Sequence, residues 1–332
     1  MRAAVLTAPR EVTVVNDWPE PQCGPGDVVV SITATGICGT DLAYVQGQRD
    51  IAPGGLIVGH EPFGTIVAVG AEVDRGRIGQ RVAIEPNYPC GACQPCGRGV
   101  PSLCTKRRSP VVNEQGFLAE RVAVPADFAW PLPESITDED AACIEPLAVA
   151  MGAVRRAGDL SQRPRIAITG AGSIGRILTD LLVRRGIVPA VIDISSERVE
   201  RAVAMGARAA EPGEHFDLIF ESSGAAPAAE AAVELLDAMG MLVVIGVGND
   251  AFAVDMKTLV RRGITIIGSM IYDHPHDYAE VIRTVESGFA HPGVVLGPSY
   301  ALHDAAAALL HAGASADKTW IRISGGEPRE HD

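Results

Sequence analysis

Cys90, Cys93, Cys96 and Cys104 fall within fifteen residues, spaced C-x2-C-x2-C-x7-C in PCGACQPCGRGVPSLC. Four thiolates at that spacing, with glycine and proline to bend the backbone between them, suit one tetrahedral metal site, and zinc matches a sulfur tetrahedron best. An iron–sulfur cluster is the rival. Its bacterial run ends in a three-residue gap and a proline, whereas here the last gap is seven residues and Thr105 follows. A disulfide framework fits less well, because the seven cysteines are an odd number in a long chain for which no secretory leader is expected. A zinc closed by four sulfurs has no position for a reactant, so this quartet is expected to hold a loop together.

A second group points to a nucleotide. Gly170-Ala171-Gly172-Ser173-Ile174-Gly175 is a G-x-G-x-x-G, and Asp193 lies 18 residues beyond its last glycine. The hexapeptide alone is weak, but here it follows a strand candidate and opens a helix candidate. Gly170 makes the turn, Gly172 admits a pyrophosphate to the backbone, Gly175 lets helix and strand close, and the helix N-terminus takes the negative charge. Asp193 can accept hydrogen bonds from ribose hydroxyls and would repel a 2′-phosphate, which selects NAD over NADP. Arg198 either flanks the adenine or faces solvent.

The elements that must position these groups fall into two textures. Over the first 130 residues, DVVVSITATGIC, GTIVAVG, RVAIEP and ERVAVP are short β-type runs between glycine and proline turns. From about residue 150, RIAIT, SIGRILTDLLVRRG, VPAVIDI, SSERVERAVAMGA, FDLIFES, MLVVIG and ITIIGSM alternate strand with helix, which predicts a parallel sheet covered by helices. The fold class is therefore α/β with a separate β lobe. Residues 272–288 read as a helix, and the segments after it are expected to return to the first lobe.

At 332 residues and 47% hydrophobic content the chain can bury two cores, and no run has the length of a membrane span. A cytoplasmic location is expected. The net charge of -13 argues against nucleic acid as a partner, and Lys106-Arg107-Arg108 reads as a solvated loop.

A third group lies upstream: Gly36-Ile37-Cys38-Gly39-Thr40-Asp41, Gly59-His60-Glu61 and Glu145-Pro146-Leu147. With these, the chain resembles the zinc-dependent medium-chain dehydrogenases, and within them the polyol (sorbitol-like) and threonine dehydrogenase branches, over nearly its whole length. The resemblance implies a GroES-like domain over 1–147 with a structural zinc lobe at 88–106, a Rossmann domain over 148–292, a return to the first domain over 293–324 and a flexible tail over 325–332. The active site is expected in the cleft between the domains. Carried over, Cys38 and His60 are catalytic zinc ligands. Alcohol dehydrogenases of this family add a second cysteine; here Glu145 is implied instead, ligating zinc directly or through its water. Glu61 either ligates directly or exchanges with that water, and Cys143 reads as a small buried residue. Thr40 is the residue that passes the substrate proton towards the cofactor ribose and solvent. Ala43 stands where many relatives carry a relay histidine, so the relay must end differently. Tyr44 lines the substrate pocket, Gly246-Val247-Gly248 and Ser269-Met270-Ile271 hold the nicotinamide, and His274 and His276 read as solvent-facing.

The expected function is zinc- and NAD-dependent oxidation of a secondary hydroxyl to a ketone, with two zincs per chain, one catalytic and one structural. The substrate class is a polyol, sugar or cyclitol, including amino sugars, aminocyclitols and aminoglycosides. A threonine or amino-alcohol dehydrogenase is an alternative, and a catalytically silent nucleotide-binding regulator is the alternative from another class. A homodimer or homotetramer is expected.

Overall fold

The computed structural model describes residues 1–324, so the tail expected over 325–332 lies outside the described residues. In chain order the first strands are Ala3–Ala8 (β1), Glu11–Val15 (β2) and Asp27–Gly36 (β3). A helix, Gly39–Val45 (α1), and strands Leu56–Ile57 (β4), Glu61–Val69 (β5) and Arg81–Ile84 (β6) follow. Next come the short helix Gln94–Gly97 (α2), strands Arg121–Pro125 (β7) and Ala129–Pro131 (β8), and helices Asp138–Ala141 (α3) and Ile144–Ala157 (α4).

The alternating part comprises Ile166–Thr169 (β9), Ser173–Arg184 (α5), Ala190–Ile192 (β10), Ser196–Ala204 (α6) and Arg208–Ala209 (β11). It continues through Phe216–Glu221 (β12), Ala226–Glu234 (α7), Leu236–Val244 (β13), Met256–Arg262 (α8) and Thr265–Gly268 (β14). The chain closes with His276–Glu286 (α9), Leu296–Ala301 (β15), Ala305–Ala312 (α10) and Lys318–Arg322 (β16).

In the first unit β3 is the hub. Val28, Val30, Ile32 and Ala34 are fully buried, and β3 pairs antiparallel with β5, β7 and β16. The register sets Gly36 opposite both Glu61 and Trp320, which brings the starts of β5 and β16 to the end of β3. Side-chain period two fixes this arrangement, since a slip by one residue would turn the valines out to water.

In the second unit the sheet order is β11-β10-β9-β12-β13-β14, all parallel. Numbered within the unit, this is 3-2-1-4-5-6, the doubly wound order of a Rossmann fold. β9 is buried on both faces, as a strand covered by helices must be. α5 buries Ile177, Leu178, Leu181 and Leu182 on one stripe.

Among the described residues, the units comprise residues 1–145, 274–286 and 293–324, and residues 146–273 and 287–292. Within the range 148–292 expected for the second unit, α9 makes its contacts with the first. The Tyr278 hydroxyl donates to the Ile84 carbonyl at 3.1 Å, and its ring lies 6.1 Å from that of Trp130. No helix among the described residues is long and apolar enough to cross a membrane.

Candidate functional site

Cys38 caps α1 in extended conformation, so its thiol leaves the chain where β3 ends and the helix begins. Asp41, one turn in and 0% exposed, organises the neighbourhood. Its carboxylate accepts from the Cys38 backbone N–H at 2.9 Å and the Gly59 N–H at 2.8 Å, and lies 3.2 Å from His60 Nδ1. With Nδ1 donating to Asp41, His60 keeps the Nε2 lone pair for a ligand. Burial disfavours an imidazolium here, but the Asp41 carboxylate and then the Cys38 thiolate outweigh it and lift the His60 pKa well above the ordinary histidine value. Burial likewise works against the Asp41 carboxylate, which His60 and the two backbone donors hold below its usual range. Gly59 has φ +88, and a Cβ there would meet Thr35 and Leu118 at 3.1–3.2 Å.

Glu61 opens β5. Its carboxylate oxygen, a nitrogen of His60 and the Cys38 sulfur all lie within 4.8 Å of one another. Lys318, the first residue of β16, donates to Glu61 Oε1 at 2.8 Å and to the Ile37 carbonyl at 3.0 Å, and stands 2.6 Å from Oε2. The ammonium thus stands against both carboxylate oxygens, with its hydrogen bond directed at Oε1. A carboxylate oxygen beside a thiol and an imidazole is a donor set that fits zinc. Burial would lower the Lys318 pKa, but Glu61, with the thiols of Cys38 and Cys143, raises it above the ordinary lysine value. The space for this pair comes from Gly36, where a Cβ would fall 2.1 Å from Glu61 Oε2.

Glu145, expected beside Cys38 and His60, is buried on the first turn of α4, but its carboxylate is outside the converging trio. Sheet register delivers Glu61 to the end of β3 beside Cys38, whereas Glu145 is carried by a helix.

In the cysteine lobe the four sulfurs also lie within 4.8 Å of one another, with Cys93 3.4 Å from Cys96 and 3.7 Å from Cys104. A tetrahedron with zinc–sulfur bonds of about 2.3 Å needs sulfur separations of about 3.8 Å, so the residues fit the metal. Gly91 and Gly99, both at positive φ, turn the loop around α2. Backbone N–H groups of Cys96 and Thr105 bring the Cys93 thiol down to about 6, while burial and the neighbouring sulfurs push Cys96 up to about 12.

At the nucleotide motif Gly170 has φ +89, and a Cβ on Gly175 would lie 1.9 Å from the Gly170 carbonyl oxygen. Gly172 has open space above it and caps α5, a 12-residue helix whose first N–H groups suit an anionic group. Asp193 accepts from Ala171 N–H at 2.7 Å and Ser195 N–H at 2.8 Å, which fixes it between the glycine turn and α6. Ser195 caps that helix through the Arg198 N–H. Val247 is exposed, and the Met270 carbonyl accepts from Arg156 at 3.3 Å.

The family model described as Alcohol dehydrogenase GroES-like domain matches residues 24–134, and that described as Zinc-binding dehydrogenase matches residues 173–287. The starvation-sensing protein RspB of Escherichia coli K12 is 30% identical over 310 residues, covering 88% of this chain and 89% of RspB. The chain belongs to the zinc-dependent medium-chain dehydrogenases. L-threonine 3-dehydrogenase of Pectobacterium atrosepticum is 31% identical, covering 81% of this chain and 79% of the relative. RspB from E. coli CFT073, crystallised with NADH, superposes with a TM-score of 0.89 at 25% identity, covering 97% and 99% of the two chains. Galactitol-1-phosphate dehydrogenase of E. coli gives 0.87 at 26% identity, covering 97% of this chain and all of that one. As a member of this family, the dehydrogenase is an oxidoreductase that works with a nicotinamide dinucleotide and zinc.

Other expectations meet the structure as follows. Thr40 is half-buried on the first turn of α1, and Tyr44 is buried one turn further on. His274, expected to face solvent, instead has Nδ1 2.9 Å from the buried Glu85 carboxylate and stacks on Phe128 at 4.3 Å. The basic cluster is largely committed internally: Arg107 donates to the Ser102 carbonyl, and Arg108 pairs with Glu114. Residue-type reading missed Lys318 and the organising role of Asp41. A lone lysine in KTWIRI carries no signal until the fold sets it against Glu61, whereas Asp41 could have been flagged by its place in GICGTD.

Proposed function

We propose that this dehydrogenase oxidises a secondary hydroxyl of a polyol, sugar or cyclitol-like substrate to a ketone, with NAD as acceptor. The observation that carries the reading is the convergence of Cys38, His60 and Glu61, whose ligand atoms lie within 4.8 Å of one another. Cys38 and His60, with Glu61 or Glu145, would hold a zinc that lowers the pKa of a substrate hydroxyl, and NAD over Gly172 to Gly175 would accept the hydride. Asp41 orients the Cys38 backbone and keeps the His60 proton on Nδ1. Thr40 takes the hydroxyl proton. Ala43 offers no imidazole to receive it next, so the proton passes to water.

A carboxylate in place of a second thiolate makes the metal site harder, which suits oxygen-rich substrates. The Asp193 carboxylate, held by Ala171 and Ser195, supports the preference for NAD, as does the NADH in the RspB crystal. Galactitol-1-phosphate and L-threonine, named for two relatives, both carry a secondary hydroxyl, which supports the substrate class.

The test is NADH formation with polyols, cyclitols, aminocyclitols, amino sugars and threonine. No response from any at high enzyme concentration would reject the substrate class. In parallel, zinc content should fall from about two per chain to about one in Cys38→Ser, with turnover lost. A Cys38→Ser protein that keeps both zincs would reject the assignment of the metal site, and NADH binding without turnover on any substrate would favour the silent regulator.

A further inference from the structure

Resting on the reaction centre proposed above, we infer that Arg49 receives an anionic group on the substrate, a carboxylate or a phosphate, at the far end from the hydroxyl that is oxidised. Its guanidinium carbon lies 5.6 Å from the centroid of the Tyr44 ring, over the ring face. Tyr44 is itself held by burial in the core of the first unit. A guanidinium held over a ring face still has N–H groups available, and such a group recognises carboxylate and phosphate through two parallel hydrogen bonds.

Those N–H groups are uncommitted. Among the described residues of this unit, Arg49 is the one half-buried basic side chain with neither a hydrogen bond nor an ion pair. The others are used. Lys318 is neutralised by Glu61, Arg81 and Arg322 by Asp138, and Arg121 by Glu20, while Arg77 and Arg107 donate to backbone carbonyls. Neighbouring Asp50 is exposed and forms no ion pair with Arg49 among the described residues.

Position adds the second part. α1 begins at the Cys38 cap, and Thr40 and Tyr44 are four residues apart on it, so they share a face about 6 Å apart. The Arg49 guanidinium thus stands against a side chain of the same helix that begins at Cys38 and carries Thr40. Partial burial against an aromatic ring also shields the charge from solvent and raises what it contributes to binding. Arg49 sits in QGQRD, directly after α1.

The experiment compares matched pairs on the zinc- and NAD-loaded enzyme: D-gluconate against D-sorbitol for a carboxylate, and galactitol 1-phosphate against galactitol for a phosphate. The anionic member of at least one pair should have the higher kcat/KM, and which pair responds tells carboxylate from phosphate. In Arg49→Gln the anionic-to-neutral ratio should fall about 10- to 100-fold, mostly through KM, as expected for losing a charge-assisted hydrogen-bonded contact. Arg49→Lys should keep part of the preference, which separates charge from mere packing on Tyr44. Equal efficiency within both pairs, or a ratio unmoved by Arg49→Gln, overturns the inference and leaves the dehydrogenase reading intact. If none of the four compounds is oxidised, their binding to the enzyme–NADH complex by calorimetry decides. Tighter binding of an anionic member that is lost in Arg49→Gln upholds Arg49 and counts against the proposed reaction, and no preference rejects the inference.

Discussion

Lys318→Met removes the ammonium while keeping most of the apolar stem, and so isolates the charge that faces Glu61. The two side chains are only 2% and 1% exposed, so water cannot take the place of the lost cation. Taking one partner from a buried ion pair costs about 3–5 kcal/mol, because the other charge remains buried without compensation. For a 332-residue protein that lowers the melting midpoint by about 4–7 °C. The Ile37 carbonyl also loses the donor that stands 3.0 Å away, which adds to the effect. Removing both charges, in Glu61→Leu with Lys318→Met, should recover most of the loss, since a buried pair replaced by apolar groups is often close to neutral. Denaturant unfolding of the wild type, both single variants and the double variant gives the coupling. The same series with and without zinc adds a second reading: Glu61 freed from Lys318 can turn to the metal, so Lys318→Met should lose less stability with zinc bound than after chelation. A single-variant loss below about 1 kcal/mol, or a double variant as unstable as the sum of the singles, would refute the view that these charges hold each other in place.

Three further outcomes are expected. Cys93→Ser should lose about one zinc per chain by metal analysis and unfold at a lower temperature while retaining turnover in the cold; retention of both zincs would show the quartet does not bind metal. Asp193→Asn should raise the NADP-to-NAD ratio of kcat/KM about tenfold or more by removing a repulsive charge from the ribose site, and an unchanged ratio in cofactor kinetics would refute that role. Glu85 is lifted above the ordinary glutamate pKa by burial, against the pull of His274 and Trp130. A proton on Glu85 therefore favours the folded state, a contribution present below the ordinary glutamate pKa and lost as pH rises through the raised value. Urea midpoints of Glu85→Gln should lack that decline, and parallel profiles for the two proteins would count against it.

Much of the fold is legible in residue types because its determinants are local. The both-face burial of β9 follows from the apolar run IAIT, and the start of α5 from glycines whose missing side chains its turn requires. The cysteine quartet is similarly local, since fifteen residues with glycine turns can close on themselves. α9 was harder. HDYAEVIRTVE reads as a helix, but its unit is decided by Tyr278 reaching the Ile84 carbonyl across a large gap in sequence. His274 shows the same limit, because a histidine in a polar loop reveals nothing of a buried glutamate 189 positions earlier.

The sequence by itself determined that this chain carries two metal-type groups and a dinucleotide-type turn followed by Asp193, for these depend on spacing along a short stretch. Tertiary structure decided which carboxylate stands with Cys38 and His60, because only the pairing of β3 with β5 and β16 brings Glu61 and Lys318 into the space beside Gly36. It also decided which cation is left over. Charges are visible in a sequence, but whether each is neutralised depends on partners that only the folded chain supplies, and among the described residues of the first unit Arg49 is the half-buried cation without an ion pair or hydrogen bond.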